Sequence, residues 1–168
     1  MNLRFLSRLV SRALCVLAFS FIATFSQASE KVHIVQMLNK STVDKKQRMV
    51  FEPSIIKVNV GDTVRFVSKD PGHNSASLKG MLPKGAEKWK SRISKDFEIT
   101  FDKDGTYGYI CSPHYGLGMV GVVLVGDYKV NYDEAKKKTH RGRAKKRFKD
   151  IFAKIDEMGA ETFVLSQK

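Results

Sequence analysis

Cysteine is nearly absent from this 168-residue chain: Cys15 and Cys111 are the only two. Histidine is also scarce, at four residues, and there is one tryptophan. The longest strongly apolar run, Ala13 to Phe25, is 13 residues, whereas a membrane-spanning helix needs about 20. These shortages exclude a disulfide-stapled scaffold, a histidine-rich multicopper enzyme and a stable membrane insertion. Acidic residues are outnumbered 17 to 30 by lysine and arginine, giving a formal net charge of +13.

The apolar run has the layout of an export signal. Arg4, Arg8 and Arg12 precede it and the small-residue sequence Ser26-Gln27-Ala28 follows it, so residues 1–28 are expected to be a cleaved signal peptide. That leader takes three of the 30 basic residues and none of the 17 acidic ones, leaving a mature charge of +10. Cleavage also removes Cys15, so Cys111 becomes the only thiol. An exported lone thiol is open to oxidation unless it is buried or occupied, and metal ligation is the simplest occupant. A basic exported protein favours acidic protein surfaces or an anionic membrane face; nucleic acid is not an expected partner.

Residues 29–126 read as one β-domain, with short strands and turn signals at intervals of about ten residues. Strands are expected at Val32–Met37, about Ile55–Val60, Thr63–Val67, Phe97–Phe101, Thr106–Ile110 and Val120–Val125, the last nearly all apolar and so buried on both faces. Gly61-Asp62 and Asp104-Gly105 supply turns. Asp70 to Lys95 is a long connection with a short helical turn expected at Ala86–Trp89. Residues 127–168 form a basic extension with two helices. The shorter spans about Asp133–Lys138; the longer follows Gly142 and stops near Gly159, and its stripe of Ala144, Phe148, Ile151, Phe152 and Ile155 is expected to dock on the sandwich rather than on a membrane.

The segment that carries chemistry is Cys111-Ser-Pro-His-Tyr-Gly-Leu-Gly-Met119. Thiolate, imidazole and thioether arrive on one loop between two expected strands, and His73, in Pro71-Gly72-His73-Asn74, supplies a second imidazole after another strand. Thiolate, two imidazoles and a weak axial thioether are the recurrent donor set of blue copper. Taken singly, each has a plainer explanation: Met119 as core, His73 as a turn histidine, Cys111 with His114 as a reactive thiol and its base. Jointly they point to one copper ion held by His73, Cys111, His114 and Met119, with Asn74 as a supporting hydrogen-bond partner and Pro113 stiffening the loop while removing an amide donor near the sulfur. No catalytic residues are expected, since His33 and His140 alone cannot build further copper sites.

Gly72-His73-Asn74, Lys79 to Ser91 (KGMLPKGAEKWKS) and Tyr107 to Asp127 (YGYICSPHYGLGMVGVVLVGD) closely resemble the pseudoazurins, a branch of the cupredoxin family of type 1 blue copper proteins. The resemblance spans essentially the whole chain after the leader. It implies an all-β, eight-stranded Greek-key sandwich with two C-terminal helices, periplasmic residence, and shuttling of single electrons between Cu(I) and Cu(II) to redox partners, notably nitrite reductase in denitrification. The family's ligands fall on His73, Cys111, His114 and Met119. Ser112 stands where the family often has Thr, and Lys136–Lys138 with Arg141–Arg147 make the tail unusually basic. Electron exit is expected through the edge of His114, across an apolar patch of Met81, Leu82, Pro113, Gly116 and Leu117 rimmed by Lys79, Lys84, Lys88 and Lys90, toward partners with acidic docking surfaces. The protein is expected to be a monomer; a periplasmic copper carrier or sensor is the alternative reading.

Overall fold

A computed structural model describes residues 30–166; the expected signal peptide and Cys15 lie outside the described residues. The described residues form eight strands, β1 (Val32–Lys40), β2 (Arg48–Glu52), β3 (Ile55–Val58), β4 (Thr63–Val67), β5 (Ala76–Ser77), β6 (Phe97–Thr100), β7 (Gly105–Ile110) and β8 (Val120–Val125). Two helices follow, α1 (Tyr132–Lys137) and α2 (Gly142–Ser166). One sheet has the order β2-β1-β4-β6 and the other β3-β8-β7-β5, with β1–β4 and β3–β8 parallel and the remaining pairs antiparallel. This is the expected all-β sandwich with two C-terminal helices.

Period-two alternation decides which side chains enter the space between the sheets. On β4, Val64 and Phe66 are fully buried while Arg65 points to solvent and pairs with Asp96 and Glu98. The centre is aromatic: Tyr109 lies edge-on to Phe51 at 4.7 Å and to Phe66 at 5.0 Å between ring centroids, geometry that favours such pairs beyond their buried area. The Tyr109 ring crosses its partner strand above Gly121, where an added Cβ would come within 2.4 Å of the ring, so only glycine fits there.

All six residues of β8 are buried, and the alternation sorts them into two cores. Val123 and Val125 pack between the sheets with Val58 and Tyr107. Val120, Val122 and Leu124 face outward against Ala144, Phe148, Ile151, Phe152 and Ile155 of α2. The helical stripe read from the sequence is thus the cover of a sheet face, and no described helix is long and apolar enough to cross a membrane.

Several elements differ from the sequence reading. No helical turn forms at Ala86–Trp89: Trp89 is needed in the core, its indole N–H donates to Ser75 Oγ at 2.9 Å, and its carbonyl accepts from Ser77 N–H at 3.0 Å, so the segment runs extended beside β5. α2 continues through Gly159 to Ser166, since one interior glycine costs a helix only about 1 kcal/mol. β1 runs three residues beyond Met37, to Lys40, paired there with the unforeseen β2.

Candidate metal centre

The hairpin of β7 and β8 builds the principal loop. Cys111 N–H donates to the Met119 carbonyl at 3.0 Å, closing the loop at its neck directly above the last ladder pair, Ile110–Val120. Inside it a single 3-10 turn spans Tyr115–Leu117: the amides of Leu117 and Met119 both donate to the His114 carbonyl, at 3.0 and 3.2 Å, and Gly118 N–H donates to Tyr115 at 3.0 Å. Gly118 ends the turn at φ +90°, a conformation that costs glycine little and other residues more. The second segment, between β4 and β5, carries His73.

These two segments meet. His73 Nδ1 lies 3.1 Å from His114 Nδ1, and the Cys111 sulfur lies 3.8 Å from His73 Nδ1 and 3.5 Å from His114 Nδ1. Among the described residues this is the one group of three or more histidine, cysteine or acidic side chains with ligand atoms within 4.8 Å of one another. His73, Cys111 and Met119 are each 0% exposed, whereas His114 is partly exposed at the surface. Met119 is buried at the end of the same loop.

The surroundings orient the donors. Asn39 Oδ1 takes His73 Nε2 at 3.0 Å, leaving Nδ1 turned to the sulfur and to His114. Asn74 Oδ1 accepts Ser112 N–H at 2.8 Å, and its amide donates to the Ser91 carbonyl at 3.2 Å and to Ser112 Oγ at 3.3 Å. Burial pushes the Cys111 thiol above its ordinary pKa, with the Asn74 and His114 backbone amides pulling the other way. Burial also holds His73 below the usual histidine range, assisted by His114 and opposed by Asp70, so its imidazole is neutral at pH 7. Two imidazole nitrogens and one sulfur converging in a largely buried space are a donor set that a soft metal ion such as copper fits.

His33 and His140 lie outside the group. His33 Nε2 pairs with Asp62 at 2.8 Å, and His140 Nδ1 meets the Tyr115 hydroxyl at 3.0 Å. Asn39 was not anticipated: it stands 34 residues before His73, and only the parallel pairing of β1 with β4 brings the two together. The expected surface patch needs one correction. Met81 is fully buried, its side chain filling the space where Gly108 has no Cβ, and it belongs to the core under α2. Pro113, Gly116 and Leu117 are exposed, Leu117 at 46%. A groove of Lys46, Gln47, Arg48, Arg143, Lys146, Arg147 and Asp150 flanks Leu117, a basic edge additional to the exposed Lys79, Lys84, Lys88 and Lys90.

A two-sheet sandwich with a buried cysteine sulfur and two imidazoles at one end defines the cupredoxin class. Residues 37–126 match the family model of copper-binding proteins of the plastocyanin/azurin family. The pseudoazurin of Methylorubrum extorquens is 38% identical over 143 residues, 85% of this chain and 94% of that one. That of Paracoccus pantotrophus is 36% identical over 144 residues, 86% and 97% of the two chains. Among solved structures, pseudoazurin from Methylobacterium extorquens superposes with a TM-score of 0.70 at 39% identity, covering 75% of this chain and 99% of its own. Pseudoazurin from Hyphomicrobium denitrificans gives 0.68 at 42% identity, with 73% and 97% covered. The chain therefore belongs to the plastocyanin/azurin family of copper-binding proteins, within its pseudoazurin branch. Members of this class are type 1 copper electron carriers that work with redox partners, and they are not enzymes.

Proposed function

We propose that His73, Cys111, His114 and Met119 hold a single copper ion and that the protein is a monomeric periplasmic shuttle of single electrons. Under this reading residues 1–28 are a cleaved signal peptide, 29–126 the copper-binding domain and 127–168 an extension packed on it. Bound at these residues, copper supplies a one-electron couple between its cupric and cuprous states. Cys111 and His73, sealed from water and tied to Asn74 and Asn39, keep their positions when the charge changes. The partly exposed edge of His114 is the exit toward a docked partner. Convergence of Sγ and the two Nδ1 atoms within 3.8 Å is the observation that carries this assignment.

The basic edge around Leu117 suits a partner with an acidic docking surface. Nitrite reductase is the partner the pseudoazurin relatedness suggests, which would place the protein in denitrification. A copper carrier or sensor would need a site that opens for transfer; Cys111, His73 and Met119 are all fully buried, which favours the shuttle. The test is the absorption spectrum and redox cycling of copper-loaded protein. One equivalent of cupric ion is expected to give an intense thiolate-to-copper band that bleaches and returns through repeated one-electron cycles with no copper released to a chelator. Protein that remains colourless would refute the ligand set, and copper passing readily to an apo acceptor would favour the carrier.

A further inference from the structure

We propose that His140, on the connection leading into α2, is a positioning residue for the metal loop: its hydrogen bond to Tyr115 holds the turn that presents His114, which makes the C-terminal arm part of the centre's rigidity. The proposal rests on the assignment of His114 as a ligand.

Four contacts place the arm against this loop. The Tyr115 hydroxyl lies 3.0 Å from His140 Nδ1, and Tyr115 is the residue directly after His114 and the first of the 3-10 turn. Gly142 sits so close to the turn that an added Cβ would stand 2.7 Å from the Gly116 carbonyl oxygen, and an added Cβ on Gly118 would stand 3.3 Å from Arg143 Cβ. The Arg141 guanidinium lies 5.8 Å from the centre of the Tyr115 ring, within cation–π range. The anchor on the other side is firm: the His140 ring stacks on Phe148 at 4.1 Å, and Phe148 is 1% exposed in the core beneath α2.

The choice of histidine carries the inference further. His140 Nε2 is buried with no hydrogen-bond partner among the described residues. An unpaired buried polar atom is destabilising, so a purely apolar ring would serve better if stacking on Phe148 were the only task. What histidine adds over such a ring is Nδ1, and Nδ1 contacts Tyr115. Burial, with Lys138 nearby, keeps this imidazole below the usual histidine range, so it meets the hydroxyl as a neutral group. Turn, tyrosine, histidine and helix core therefore form one chain of contacts. Its loop end is the segment whose stiffness limits how far His114 moves.

The test uses Tyr115→Phe, which keeps the ring and its arginine contact, together with His140→Ala and His140→Gln. In the apo protein the amides of Leu117, Gly118 and Met119, which close the turn onto His114 and Tyr115, are expected to exchange roughly three- to tenfold faster in Tyr115→Phe and His140→Ala, as for the loss of one hydrogen bond. In His140→Gln, whose amide can still reach the hydroxyl, exchange is expected to stay near the unmodified rate. After copper loading, the first two variants are expected to show a shifted or weakened thiolate-to-copper band and slower electron self-exchange. Lys136→Ala, which breaks the ion pair with Asp156 inside the arm, is expected to change neither readout. Unmodified exchange rates in Tyr115→Phe, or faster exchange with an unchanged band, would overturn the proposal. Should His140→Ala not fold, Tyr115→Phe decides alone. A colourless unmodified protein would refute the ligand assignment instead, and the apo exchange rates would separate the two failures.

Discussion

Asn74 Oδ1 accepts the Ser112 backbone N–H at 2.8 Å, joining the segment that carries His73 to the loop that carries Cys111. Asn74 is 1% exposed, and its amide reaches on to the Ser91 carbonyl and to Ser112 Oγ. Asn74→Ala leaves a donor and an acceptor without partners in a buried setting, at a cost of about 1–3 kcal/mol. Urea unfolding of the apo protein is expected to show that loss, and the copper-loaded variant is expected to show a broadened charge-transfer band. An unchanged unfolding midpoint would mean that the two segments are held together by packing alone.

Much of this centre was legible in the sequence because its parts are local. Thiolate, imidazole and thioether occupy one nine-residue loop, and the strands expected at Thr106–Ile110 and Val120–Val125 stand on either side of it. What was not legible depends on pairing between distant segments. Asn39 lies on an extension of β1 whose ladder with β2 has no local signal, and its meeting with His73 follows from strand order. Met81 resembles a surface residue in its Gly- and Pro-containing loop until Gly108, on another strand, makes room for it. Trp89 has helical neighbours in sequence, but burying its ring outweighs their weak local preference.

Acid should destabilise the sandwich through Asp62, which is 3% exposed. Its carboxylate accepts from the Asn59 amide at 2.9 Å, from His33 at 2.8 Å and from the Lys31 amide at 3.1 Å, and these bonds, Asn59 first, hold its pKa below the usual carboxylate range. A group with a lowered folded pKa contributes its full stability above the unfolded value, about 4, and loses it as pH falls through the folded value. The apo protein's urea midpoint is therefore expected to fall below about pH 4. Asp62→Asn is expected to lower the midpoint at pH 6 and to flatten this decline. It should not remove it, because Asp44 and Asp96 are held low in the same way by the Lys46 and Ser68 amides. An Asp62→Asn profile parallel to that of the unmodified protein would sink the assignment.

Helix α2 holds its place through a few large side chains. Phe148 is 1% exposed and packs against Phe152 and the outer face of β8. Phe148→Ala is expected to cost about 3–5 kcal/mol, the usual range for emptying a buried phenylalanine site, whereas exposed Lys154→Ala should stay within about 0.5 kcal/mol. Thermal unfolding monitored by far-ultraviolet circular dichroism measures both. Similar melting temperatures for the two variants would mean that the arm contributes little to the fold.

The basic edge beside Leu117 should set how fast an acidic partner is met. Lys46, two residues before β2, and Arg48, its first residue, are exposed and border the same groove as Leu117 and Arg143. Opposite charges steer encounters and can raise association rates tenfold or more at low salt, an effect lost as the screening length shrinks to about 3 Å near 1 M salt. The double variant Lys46→Glu with Arg48→Glu is accordingly expected to slow second-order electron transfer to an acidic redox protein by about tenfold at low ionic strength. Near 1 M salt it should match the unmodified protein, and its reduction potential should be unchanged throughout. Lys84→Glu with Lys88→Glu, reversed in the same way, reports on the other group of exposed lysines. Stopped-flow rates across a salt series separate the two: if only the second pair slows transfer, docking runs over the Lys84 side and the groove at Leu117 is a solvated surface.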